Sequence, residues 1–196
     1  MFQQCKNLQA LPAGFTFPQN ITDVGEHFAD LMFDGCRTIT DLPEGFNLPQ
    51  SIVNIDNHFL DNMFHNCVYL RVLPDGFNLP QNINVIRISF CDNMFYGCYS
   101  LETLPHDFNF PQPPTLTEVD GRTFASNMFY GCANLLYDFS ESEPLVFPNI
   151  WPIKGLNTYA YNCFLGADKL TSDNKVKTGQ ESNPIPPGYE VYILRN

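Results

Sequence analysis

Apolar and polar positions along this chain recur as one phrase. Met1-Phe2-x-x-Cys5-x-x-Leu8, Met32-Phe33-x-x-Cys36-x-x-Ile39, Met63-Phe64-x-x-Cys67-x-x-Leu70 and Met94-Phe95-x-x-Cys98-x-x-Leu101 share it, their methionines 31 residues apart. A fifth copy, Met128-Phe129-x-x-Cys132-x-x-Leu135, arrives after 34 residues because the preceding unit is lengthened around Pro113 and Pro114. A decayed sixth follows 35 residues later, with Cys163, Phe164, Ala167 and Leu170 in the Met, Phe, Cys and Leu slots. The first four blocks are each followed by Leu-Pro (Leu11-Pro12, Leu42-Pro43, Leu73-Pro74, Leu104-Pro105). A phenylalanine comes next (Phe15, Phe46, Phe77, Phe108), and then a second proline (Pro18, Pro49, Pro80, Pro111). Of the 18 phenylalanines only Phe139 falls outside four repeat slots. A fixed period of this length marks units that bury their apolar faces against neighbouring copies of themselves.

Within a unit, Phe59, Met63, Phe64, Cys67 and Leu70 are spaced as a helical stripe, which predicts one short helix per unit. Asp56 ahead of it, and Asp120 in the fifth unit, are suitable N-caps. Leu73 to Phe77 predicts a type I turn with Pro at its second and Gly at its fourth position. In the fourth unit Asp107 takes the Gly place, where it tolerates a left-handed backbone. Ile52-Val53-x-Ile55 and Ile83-x-Val85-Ile86 are expected to be extended, and two prolines per unit exclude a second long helix. The expected class is α/β: strand, turns and short helix, stacked into a curved ribbon.

The phrase Asn-Met-Phe-Tyr-Gly-Cys-x-x-Leu at 93–101 and 127–135 resembles the BspA-like leucine-rich-repeat surface proteins of bacteria, whose repeats couple a Met-Phe-x-x-Cys helix to a Leu-x-x-Leu strand. The resemblance runs from Met1 to about Leu170. It implies a right-handed βα solenoid of about six repeats of 31–35 residues and a cell-surface role in adhesion or protein binding. The units here are longer than that pattern, and Tyr137 to Leu156 departs from it. Residues 1–170 are thus expected to form the repeat domain, with units starting near Met1, Met32, Met63, Met94, Met128 and Cys163. Residues 171–196 are expected to cap it, Tyr189 to Leu194 pairing as a strand onto the last unit. Met1 falls in mid-unit, so either a trimmed N-terminal end or a partner at the first coil is expected, with end-to-end self-association as the architectural alternative.

Charge narrows the partners. Ten basic residues against 21 acidic ones give a net charge of −11, which opposes phosphate neutralisation and disfavours nucleic acid or an anionic membrane as partner. No apolar run approaches the ~18 residues of a membrane span, and Met1 to Ala10 lacks a signal-peptide pattern. A cell-surface or secreted location therefore rests on the resemblance. An intracellular location stays open, because free thiols suit a reducing interior.

Seven cysteines invite metal or disulfide chemistry. Cys5, Cys36, Cys67, Cys98 and Cys132 share one slot, which sets them in a row about 4.8 Å apart along the stack. A row is not the tetrahedron that zinc requires, and parallel Cβ vectors give a poor disulfide dihedral. Buried free thiols are expected instead, with Cys91 and Cys163 also in the core. His27 with Asp30, and His58 with Asp61, sit three apart and recur in equivalent slots. They give way to Ser89 with Asp92 and Thr123 with Ser126, and read as solvated decoration rather than an acid–base centre. Neither a phosphate loop nor a hydrolase motif occurs, no cofactor is implied, and an enzyme is not expected.

The exposed positions between the paired leucines read Gln9, Thr40, Arg71, Glu102 and, one step on, Ala10, Asp41, Val72, Thr103. Their composition varies while the core slots stay constant, so they are the candidate partner-binding positions. Tyr69 and Tyr99, with Tyr96 and Tyr130, flank the Cys slot as candidate aromatic anchors. The expected function is non-catalytic binding of a protein or host surface ligand. An architectural self-assembly module or a thiol-dependent enzyme are the alternatives.

Overall fold

The fold is described from a computed structural model, which covers residues 1–112, 115, 117–119, 123–136 and 163–167 together with the backbone pairs 146–147, 158–159 and 177–178. Residues one period apart lie side by side. Asp23 bridges Asn54, Asp41 bridges Val72, Val72 bridges Thr103 and Phe90 bridges Phe124, all in parallel. The longer pairings are two residues each: β1 (Val85–Ile86) with β2 (Glu118–Val119), β3 (Thr123–Phe124) with β5 (Thr158–Tyr159), and β4 (Val146–Phe147) with β6 (Lys177–Thr178). Each coil therefore lies beside the next, and among the described residues extended backbone is limited to single bridges and two-residue strands. The expected strand near 52–55 is reduced to the bridge at Asn54, whereas 83–86 contributes β1.

No helix forms among the described residues, which corrects the α half of the expected βα solenoid. From Phe59 to Leu70 the chain is a run of turns. The amides of Met63, His65, Cys67 and Leu70 close on the carbonyls of Leu60, Asn62, Phe64 and Cys67, three residues back. The amides between them leave the coil: Asn62 donates to Asp92 at 2.9 Å, Phe64 to Met94 at 2.8 Å and Asn66 to Tyr96 at 2.7 Å. This alternation requires positive φ at His58, Leu60, Asn62 and Asn66, and the same slots are left-handed in the neighbouring coils at His27, Ala29, Leu31 and at Ser89, Cys91, Asn93. A non-glycine residue in that region costs about 1–2 kcal/mol. Burying a phenylalanine side chain contributes about 1.5–3 kcal/mol, and each coil buries several. The helical spacing identified the inward residues correctly. It did not identify the amides' partners, because an identical coil one period away offers every second amide a carbonyl that a helix would have taken from its own turn. Asp56 accordingly caps no helix; its Oδ1 accepts from the adjacent Asn57 amide at 2.9 Å. Asp120 lies outside the described residues.

The Leu-Pro-x-Gly-Phe turn is also corrected. Phe46 closes on Pro43 and Phe77 on Pro74, both at 3.0 Å, so the turn begins at the proline and places Gly third. Gly14, Gly45 and Gly76 take φ of 75–77°, the type II signature. Asp107 does not adopt positive φ, although Phe108 still closes on Pro105 at 3.1 Å.

Three columns of phenylalanine form the core. Phe2, Phe33, Phe64, Phe95, Phe129 and Phe164 stack with centroids 5.3–5.5 Å apart and planes within 7°. Phe15, Phe46, Phe77 and Phe108 stack at 6.0–6.2 Å. The two columns meet edge to face, as between Phe64 and Phe77 at 70°. The third column, Phe28, Phe59, Phe90 and Phe124, repeats at 5.4–5.7 Å. The described sixth-unit residues continue this packing, with Cys163, Phe164 and Ala167 buried. Leu170, the Tyr137–Leu156 stretch and the expected strand at 189–194 lie outside the described residues. So does the expected cap at 171–196, apart from the β6 backbone.

Candidate functional site

Parallel bridging brings most of the expected binding positions together. Arg71 donates its amide to Thr40 at 2.9 Å, Glu102 to Arg71 at 2.8 Å and Leu136 to Glu102 at 2.7 Å, forming one column. Asp41, Val72 and Thr103 form the next through their bridges. Thr40, Asp41, Arg71 and Thr103 are exposed and Glu102 is half-buried. Gln9 is exposed in the equivalent slot of the first coil. Arg71 and Glu102 form a two-pronged pair, Nε to Oε1 at 3.1 Å and Nη2 to Oε2 at 3.3 Å, and the carboxylate holds the guanidinium's pKa above its ordinary value. Tyr69 and Tyr99 are both more than half exposed. Tyr96 and Tyr130 are not comparable anchors; half-buried, they stack on one another at 4.7 Å.

A second flank carries the titratable groups. His27 Nδ1 lies 2.8 Å from Asp30 Oδ2 and His58 Nδ1 lies 3.3 Å from Asp61 Oδ2, while the two imidazoles stack at 4.7 Å. These carboxylates are not solvated decoration: their side chains are only 13% exposed, and Asp30 Oδ1 is buried with no hydrogen-bond partner among the described residues. Asp92, next in the column, is buried and accepts from the Ser126 amide at 2.8 Å and from the Thr123 hydroxyl. Burial pushes the Asp92 carboxyl up to about 7 despite those donors. Burial also raises Asp61, helped by neighbouring Asp30 and opposed by His58. Ser89, beside His58 in the stack, lies 3.2 Å from the Thr123 hydroxyl and also bonds to Asp92. Asp34 sits elsewhere, and its burial is outweighed by bonds from His65 at 2.8 Å, Gln4 at 2.8 Å and Gln3 at 3.3 Å, which leave its pKa lowered. Among the described residues no three His, Cys, Asp or Glu side chains are placed to hold a metal ion.

All seven cysteines are free; Cys5 is exposed and the other six are buried. The slot has a purpose that spacing alone did not show. Cys36, Cys67, Cys98 and Cys132 each direct Sγ to the phenylalanine carbonyl of the preceding coil, at 2.9, 3.1, 3.1 and 3.2 Å. Burial drives their pKa upward, Cys132 to about 12, which leaves them protonated and unreactive at neutral pH.

Two polar ladders were missed by the sequence reading. Asn78 Nδ2 donates to Asp107 O at 2.6 Å, while its Oδ1 accepts from the amides of Leu79 at 2.8 Å and Asn109 at 2.9 Å. Asn47 repeats all three bonds one coil earlier, at 2.7, 2.8 and 3.1 Å. Gln50 and Gln81 each bond two carbonyls, Leu48 and Asn78 for the first, Leu79 and Asn109 for the second. The signal was present as Asn-x-Pro-Gln at 47–50, 78–81 and 109–112, with Thr16 and Gln19 in the first unit. These amides join coils and are not part of the exposed face.

No family model and no curated protein matches the chain. Among solved structures, the T. pallidum leucine-rich repeat protein TpLRR is similar over 81% of this chain and 78% of its own, at 19% identity and a TM-score of 0.32. At that level of overlap the fold stands on the chain's own contacts.

Proposed function

We propose that this chain is a non-catalytic repeat module that binds a macromolecular partner, a protein or a host surface ligand, through the exposed face carrying Gln9, Thr40, Asp41, Arg71, Glu102 and Thr103. One observation carries the reading: on this face polar, charged and aromatic identity changes from coil to coil, whereas the columns beneath it stay apolar, and one of them is phenylalanine from Phe2 to Phe164. Constancy inside serves packing, and variation on a rigid bridged surface is where stacked-repeat proteins make their contacts. The burial of six thiols supports binding over thiol chemistry. A cell-surface or secreted setting belongs to this proposal and rests on the BspA-like phrase.

The test is a random-sequence peptide array probed with the protein and with a Thr40→Trp, Thr103→Trp variant of equal thermal stability, which blocks the face without changing its charge. Ligands retained by the parent and lost by the variant are expected. Ligands bound equally by both, or no ligands at all, overturn the reading.

A further inference from the structure

The same face is graded along the stack. The slot immediately after each Cys reads Lys6, Arg37, Val68, Tyr99 through the first four coils, cationic and then apolar. Its flanking slots follow suit, with Thr38 half-buried beside Arg37 but Tyr69 and Val72 exposed on the third coil and Leu136 exposed beside Glu102. Lys6 and Arg37 are exposed, and neither forms an ion pair among the described residues. Residues 1–112 hold twelve acidic and four basic side chains, yet three of the four cations, Lys6, Arg37 and Arg71, fall in the slots of this face, where Asp41 and Glu102 are the acidic residues, Glu102 being paired with Arg71. Within residues 1–112 the positive charge is thus concentrated in the slots of this face, and an apolar strip adjoins it.

Resting on the binding function proposed above, we infer that this face takes an extended acidic segment of a partner protein, its carboxylates over Lys6 and Arg37 and an apolar or aromatic side chain over Tyr69, Val72 and Tyr99. Charge complementarity selects the occupant: an acidic segment meets Lys6 and Arg37 on the first two coils, while the acidic surplus elsewhere in residues 1–112 disfavours it. Spacing sets the ligand's pattern. Coils repeat at 5.3–5.4 Å in the Phe33–Phe64–Phe95 column, so Arg37 and Tyr99 are about 11 Å apart along the stack, which an extended chain covers in about three residues. The apolar end supplies contact area at low entropy cost, because a tyrosine has few rotatable bonds to immobilise.

The probes are a fluorescein-labelled peptide Asp-Glu-Asp-Gly-Phe-Leu and its counterpart Lys-Lys-Lys-Gly-Phe-Leu, read by anisotropy. The acidic peptide is expected to bind at least about tenfold more tightly, with the difference shrinking as salt rises. Arg37→Glu with Lys6→Glu reverses the preference, and Tyr99→Ala weakens both peptides. Equal binding of the two peptides, or a preference that survives the Glu substitutions, overturns the inference. The array separates the two levels. Ligands lost with Thr40→Trp, Thr103→Trp but not enriched in Asp and Glu leave the binding face standing and remove its acidic partner. Ligands indifferent to every substitution on this face remove both.

Discussion

Cys67 and Phe33 belong to different coils, and the Cys67 thiol is directed at the Phe33 carbonyl across 3.1 Å. That carbonyl also receives the Cys36 amide at 3.0 Å, so the thiol adds a contact to an oxygen already satisfied. What the position chiefly needs is a small apolar group without solvent access. In native protein only Cys5 is therefore expected to react promptly with a thiol reagent such as Ellman's. The six buried thiols react at the rate of unfolding, and prompt labelling of more than one thiol per chain contradicts their protonated, buried state.

Stability is expected to fall as pH rises from mildly acid to neutral. The Asp92 carboxyl is raised from 3.8 to about 7 in the folded chain. Its contribution is thus fully present below the unfolded value, declines through the interval and is lost above about 7, amounting to a few kcal/mol. Asp34 runs the other way: its lowered pKa adds stability above the unfolded value that disappears on acidification. Urea denaturation at several pH values checks the sign, and Asp92→Asn should flatten the decline between pH 5 and 7.5 while leaving the acid limb intact.

Asn78→Ala should destabilise the chain by about 2–3 kcal/mol, since the amides of Leu79 and Asn109 and the carbonyl of Asp107 all lose a partner. Asn78→Asp keeps the acceptor but sets a carboxylate oxygen against the Asp107 carbonyl, so it should also destabilise, and less at low pH, where a protonated carboxyl can donate. Chemical denaturation of both variants ranks them.

Phe64 contacts four rings, stacked on Phe33 and Phe95 and edge-on to Phe46 and Phe77. Phe64→Ala is expected to cost about 3–5 kcal/mol. Arg71→Ala, which breaks an exposed pair, should cost less than about 1 kcal/mol. Thermal melts of the two variants should therefore diverge sharply. Equal melting points would mean that the columns do not carry the fold.

Much of this architecture was legible because the repeat is nearly perfect. The Met, Phe, Cys and Leu slots, the burial of Cys91 and Cys163 and the outward position of Thr40, Arg71 and Thr103 all follow from aligning units of 31 to 35 residues on the shared phrase. The helix was not there to be read. Phe59, Met63, Phe64 and Cys67 face inward on a helix and on an alternating-handed turn ribbon alike, so periodicity cannot distinguish them. The discriminating signal was the slot before each Cys, where Gln4, Gly35, Asn66, Gly97 and Gly131 all take positive φ. Gly and Asn are the residues most at home there. Asn47 and Asn78 escaped notice for a different reason: in a turn-rich sequence an asparagine ordinarily serves its own loop, whereas these reach the next coil.

The amide ladders also make the chain countable. Asn47 binds the carbonyl of Gly76 and Asn78 that of Asp107, and both do so with the same bond. Excising residues 47–77 would bring Asn78 to the place Asn47 held, with every column above and below in step. Other lengths are tolerated only where the columns come back into step, as after the 34-residue unit, where Phe129 still stacks on Phe95 at 5.4 Å. Such a molecule gains or loses reach only by whole coils, and its binding face lengthens or shortens in the same steps.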